Sequence, residues 1–147
     1  MSNEEEETKT TALILVVEDD PTVLGFIRRT LKRGGFSCLT AETAEDALQV
    51  SSASERPIDL LVLDIMLPDS WGTRLMQDVR AQHPEVAVIL TSGFTGDDPV
   101  LAAGVAARDP DIPFLKKPFT PEELLETVRE KLADGPNTPQ APNPQAG

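Results

Sequence analysis

Four places in this 147-residue chain set reactive side chains directly after a short apolar run. Leu13-Ile14-Leu15-Val16-Val17 leads into Glu18, Asp19 and Asp20, and the run from Ile58 to Leu63 ends at Asp64. The run from Val86 closes on Thr91, Ser92 and Gly93, and Ile112 to Leu115 is followed by Lys116, Lys117 and Pro118. Carboxylates brought together repel one another, which raises a pKa or calls for a cation. A hard divalent ion with a preference for oxygen, Mg²⁺ above all, suits one or two carboxylates together with a phosphate. A lysine and a hydroxyl opposite would hold the phosphoryl oxygens that the metal leaves free. In such an arrangement Asp64 is the nucleophile and forms an acyl phosphate, since phosphoryl transfer needs mainly positioning and charge neutralisation. Gly93, beside Ser92, leaves room for the phosphoryl group.

The elements between these points must bring them to one edge. The apolar runs 13–17, 58–63 and 86–91 read as strands buried on both faces, with Phe36 to Ala41 a further strand and 112–115 a short fifth. Asp20-Pro21 opens a helix, with Asp20 as its cap, and Leu24, Ile27 and Leu31 give it an apolar stripe that Gly34-Gly35 ends. Thr43 to Asp46 resembles a capping box and starts a second helix to about Ala53. A third helix spans Gly72 to about Ala81, and a weaker, Ala- and Gly-rich one covers 98–108. Thr120-Pro121-Glu122-Glu123 is a full capping box for a last helix to Leu132. Five strand–helix units in strict alternation predict an α/β fold, a doubly wound parallel sheet in a three-layer sandwich. In such sheets ligands gather beyond the carboxyl ends of the strands, where these residues stand.

Composition narrows the classes. The formal net charge is -12 and the sequence pI about 4.4, which argues against direct binding to nucleic acid phosphates. One cysteine, Cys38, rules out an internal disulfide and a cysteine zinc site. No apolar run is long enough for a bilayer, so no membrane insertion and a cytoplasmic location are expected. Residues 1–11, with four consecutive glutamates, and 134–147, with four prolines, read as disordered tails around a single domain over 12–133. The second tail could equally be the start of a linker.

ILVVEDD, LLVLDIMLPDSWG, VILTSG and FLKKPF, in that order, resemble the motifs of the receiver domain of bacterial two-component response regulators. The resemblance covers roughly residues 12 to 133 and implies the flavodoxin-like five-stranded sheet of order 2-1-3-4-5. It implies that Asp64 accepts a phosphoryl group from a partner's phosphohistidine in a Mg²⁺-dependent reaction. Glu18 and Asp19 match the acidic pair, Asp19 as the direct Mg²⁺ ligand beside Asp64, and the backbone carbonyl of Met66 matches the third protein ligand. Ser92 matches the switch hydroxyl, Lys117 the phosphate-binding lysine and Phe114 the aromatic that swings inward on activation. Pro68, Gly72, Gly93 and Pro118 match loop-shaping positions, and Lys117-Pro118 is implied to be cis. Two departures stand out: Phe114 lacks the hydroxyl of many relatives, and Met66 is an apolar side chain beside the site.

Other residues take plainer readings. His83 before Pro84 is a charge at a helix C-terminus, Cys38 a small apolar packing residue, Lys116 a surface lysine, and Trp71 a lone fluorophore. The expected function is a phosphorylation-switched relay protein rather than a turnover enzyme. Its donor would be a histidine kinase or histidine phosphotransfer protein. Output would pass to a protein target or a second copy through the face of the 98–108 helix, the fifth strand and the last helix. The wording of LTSGF and FLKKPFTPEELLETVRE resembles receivers attached to hybrid histidine kinases. A phosphorylation-independent adaptor with the same fold is the alternative. A small phosphatase with an aspartyl nucleophile fits less well, because such enzymes place DxD after the first strand, where this chain has Glu18-Asp19-Asp20-Pro21.

Overall fold

The computed structural model describes residues 11–70, 72–92 and 112–133. The helix expected over 98–108, Gly93, Trp71 and, apart from Thr11, both expected tails lie outside the described residues. In chain order the elements are β1 (Leu13–Val17), α1 (Pro21–Arg33), β2 (Ser37–Ala41), α2 (Ala44–Ala53), β3 (Leu60–Asp64), α3 (Gly72–Gln82), β4 (Ala87–Ser92), β5 (Phe114–Lys116) and α4 (Pro121–Ala133). The five strands form one parallel sheet of order β2-β1-β3-β4-β5. The parallel sheet is the one expected from the strand–helix alternation, and its order is the one the resemblance implies.

Burial on both faces explains why β1 is apolar throughout and β3 up to Leu63, successive side chains entering opposite cores. Leu13, Leu15 and Val17 of β1 join Leu61 and Leu63 of β3 in a core under α2 and α3, with Ala47, Leu75 and Val79. Ile14 and Val16 join Leu60 and Val62 in the opposite core under α1 and α4, with Ile27, Leu31, Leu124 and Val128. Both faces are covered, so a strand that reads as continuously apolar is buried twice. Glu18 and Asp64 continue the even-numbered alternation of Ile14-Val16 and Leu60-Val62. The pattern that packs the α1/α4 core therefore also aims these two acids toward one side of the sheet.

Local chemistry sets the helix ends. Asp20 caps α1, accepting from the Thr22 and Val23 amides at 2.9 and 3.4 Å. Gly34 closes that helix, and Gly35, at φ 95°, makes the left-handed turn into β2 that other residues rarely adopt. Before α4 the capping box is complete: Thr120 Oγ1 accepts from the Glu123 amide at 3.0 Å, and Glu123 Oε1 from the Thr120 amide at 2.9 Å. Strand ends shift by at most two residues from the sequence reading. β3 starts at Leu60, and just before it the Ile58 amide donates to His83 Nδ1 (3.3 Å) and the Asp59 amide to Leu13 O (2.9 Å). Among the described residues no helix is long and apolar enough to cross a membrane.

Candidate functional site

Parallel register brings the four reactive points together. Glu18 and Asp19 follow β1, Asp64 is the last residue of β3, Ser92 the last of β4, and Lys117 follows β5. Backbone bonds carry the lattice past the strand ends: Glu18 N–H donates to Ala41 O (3.1 Å), Ile65 N–H to Thr91 O (2.9 Å) and Lys117 N–H to Ser92 O (2.8 Å). The carboxyl edge is thus held rigid up to the residues that carry charge.

At its centre Lys117 Nζ donates to Glu18 Oε1 at 2.6 Å and to Asp64 Oδ2 at 3.0 Å, joining β1, β3 and β5 across 99 and 53 residues of sequence. Glu18 is 1% exposed and Asp64 6%. The remaining oxygens are engaged by backbone: Glu18 Oε2 accepts from the Asp20 amide at 3.1 Å, and Asp64 Oδ1 from the Met66 amide at 3.0 Å. Burial pushes the Glu18 carboxyl above its ordinary value of 4.5, against the pull of the Lys117 bond. Burial alone would lower Lys117, but its bonds to Glu18 and Asp64 outweigh that and hold it above 10.5, firmly charged.

Asp19 is exposed, and one oxygen from each of Glu18, Asp19 and Asp64 lies within 4.8 Å of the other two. Three carboxylates against one ammonium leave an excess of negative charge, and the donors are all hard oxygens. That set fits a hard divalent cation.

The loop after β3 is shaped around the acid. Gly72 N–H donates to Ile65 O at 2.7 Å, and a Cβ at Gly72 would stand 2.4 Å from Asp64 O, so only glycine lets α3 start there. Met66 is 38% exposed beside Asp64, and Pro68 is exposed in the same loop. Phe114, on the edge strand β5, is 39% exposed. The Lys117-Pro118 peptide is cis.

Two arrangements were not read from the sequence. Asp69, in the loop after β3, caps α2 from outside that helix: its Oδ1 accepts from the Ala44 amide (2.8 Å) and its Oδ2 from the Glu45 amide (3.0 Å). His83 does more than stand at a helix end: its Nδ1 accepts from the Ile58 amide and its Nε2 lies 3.0 Å from Ser51 O, at the far edge of the sheet. The one local signal was the LPD stretch after the acid, and its partner lies 25 residues earlier in the chain.

The fold and this acidic edge define a class. A family profile described as "Response regulator receiver domain" matches residues 14–129, and the chain belongs to that family. It is 33% identical over 119 residues to the regulatory protein VanR of Enterococcus faecium, covering 81% of this chain and 49% of VanR. It is 31% identical over 121 residues to the sensor kinase CckA of Brucella abortus (strain 2308), covering 82% of this chain and 12% of CckA. A CheY-like receiver domain protein from Methanospirillum hungatei JF-1 superposes with a TM-score of 0.71 at 28% identity, over 85% of this chain and 96% of that one. The chain thus spans about half of VanR and a small part of CckA.

Proposed function

We propose that this chain is a phosphoacceptor, taking a phosphoryl group onto Asp64 from the phosphohistidine of a histidine kinase or histidine phosphotransfer protein. The observation that carries the reading is the single Lys117 ammonium held between the buried carboxylates of Glu18 and Asp64 at the carboxyl edge of the sheet. In the transfer, the N–P bond of the donor breaks as an O–P bond to an Asp64 carboxylate oxygen forms, and the imidazole leaves. Asp19, Asp64 and the Met66 backbone carbonyl, with Glu18 beside them, would hold a Mg²⁺ ion. Bound there, the ion neutralises charge on the phosphoryl oxygens. Lys117 exchanges its Asp64 bond for a phosphoryl oxygen, and the Ser92 hydroxyl donates to another. Phosphate charge of roughly -1.5 to -2 then biases β5, with Phe114, toward a new arrangement at the face it shares with α4. The output is a changed protein contact rather than a released product, and the setting is the cytoplasm.

Intact-protein mass after incubation with Mg²⁺ and acetyl phosphate tests this directly. One phosphoryl adduct is expected on the parent and none on Asp64→Asn. No adduct on the parent would overturn the reading in favour of a phosphorylation-independent adaptor.

A further inference from the structure

The loop between β3 and α3 is fixed at both ends. Met66 N–H is held by Asp64 Oδ1 at 3.0 Å, and Gly72 N–H by Ile65 O at 2.7 Å. Between them Leu67 N–H donates to Ser70 O at 3.1 Å, folding the loop into a tight bend with Asp69 at its tip. From that tip the Asp69 carboxylate reaches the first two amides of α2, while Thr43 Oγ1 takes the third from Asp46 at 3.0 Å. Three amides of the first turn, normally left to solvent, are satisfied, two of them by a group outside the helix. A carboxylate at that end is also favoured by the helix dipole. α2 follows β2, whose end is tied to Glu18 by the Glu18 N–H to Ala41 O bond of 3.1 Å. Asp69 therefore closes a ring: acid loop, α2, β2 and back to the acidic pair.

We infer that Asp69 is a positioning residue for the cation site, holding the loop that carries Met66 in one arrangement beside the Glu18–Asp19–Asp64 cluster. This inference rests on the functional reading above. Its side chain touches neither the cation nor the phosphoryl group. It acts by denying the loop other conformations, so a cation bound at the site and the Asp69 contact with α2 stabilise each other, and the coupling is reciprocal.

A Mg²⁺ titration of the full chain followed by amide NMR and hydrogen exchange tests it, on the parent, Asp69→Ala, Asp69→Asn and Thr43→Ala. Asp69→Ala is expected to weaken Mg²⁺ binding about three- to tenfold, less than the roughly 10–100-fold typical of groups bonded directly to a ligand. Asp69→Asn, with one acceptor oxygen in place of two, falls between. Thr43→Ala loosens the same helix end without touching the loop and leaves Mg²⁺ affinity unchanged. In the parent, Mg²⁺ slows exchange of the Ala44 and Glu45 amides; in Asp69→Ala that response is lost. Equal Mg²⁺ affinity in parent and Asp69→Ala overturns this inference alone, as does equal weakening by Thr43→Ala. No Mg²⁺ binding by the parent overturns it together with the functional reading.

Discussion

At the amino end of the sheet, polar side chains each answer a backbone group. Asp59 Oδ2 accepts from the Leu13 amide (2.8 Å), Arg56 Nη2 donates to Thr11 O (2.6 Å), and His83 spans the Ile58 amide and Ser51 O. The Gln82 side chain instead links two hydroxyls, accepting from Ser51 Oγ at 2.6 Å and donating to Ser52 Oγ at 2.8 Å. At the carboxyl end, Glu18 and Asp64 share one ammonium, and Asp19 stands exposed beside them. The two ends have the same scaffold and the same supply of polar residues. One closes its hydrogen bonds locally and adds stability; the other gathers like charge and depends on a single counter-charge. An excess of buried like charge is a poor way to build a strand end and a good way to bind a cation.

Removing that counter-charge is the largest way to break the comparison. Lys117→Ala leaves Glu18 and Asp64 buried without their cation, and stripping one partner from such a pair costs about 3 kcal/mol. A clear drop in the urea unfolding midpoint is expected. Adding Glu18→Gln should recover more than half of the loss, because the penalty lies in the uncompensated charge rather than in lost packing. No recovery would show that Lys117 is holding shape instead.

Sequence made one side of this comparison legible and hid the other. Glu18, Asp64, Ser92 and Lys117 each close or follow an apolar run that reads as a buried strand, and parallel winding then sends every strand end to one edge. Helix ends were equally readable where cap and amide are neighbours, as at Asp20 and at Thr120 with Glu123. The amino-end contacts, and the Asp69 cap at the carboxyl end, have no such local trace. His83 and Ile58 are 25 residues apart, Ser51 and Gln82 are 31 apart, and Asp69 and Ala44 are 25 apart. No periodicity links them, because they meet only once two helices have packed on the same face.

A second, smaller break falls at the amino end. His83→Ala leaves the Ile58 amide and Ser51 O without the imidazole, at a cost of about 1–2 kcal/mol in partly exposed surroundings. No charge-neutralising second substitution should rescue it, in contrast to Lys117→Ala. A five-residue strand at about 3.3 Å per residue separates the two edges by roughly 15 Å. The His83→Ala and Lys117→Ala losses should therefore add to within about 0.5 kcal/mol in the double variant. A larger coupling would mean that the sheet transmits strain from one edge to the other.

The smallest effect is one of pH, and it sharpens the contrast within the carboxyl end itself. Glu18 is pushed up by burial, so its ionisation works against the fold. Asp69 is exposed, and its bond from the Ala44 amide, with help from the Glu45 amide, holds it below its ordinary 3.8. A carboxyl whose folded value is depressed contributes stability above its unfolded value and loses it as pH falls through the folded one. Asp69→Asn should accordingly be less stable than the parent at neutral pH, with the gap closing as the solution is acidified below 3.8. Paired thermal melts across that range check this, since every other acid titrates alike in the two proteins. A gap that persists unchanged into acid would mean that the Asp69 oxygens act on α2 as neutral hydrogen-bond acceptors. The loop would then be tied down by geometry alone, with no help from the negative charge at the helix end.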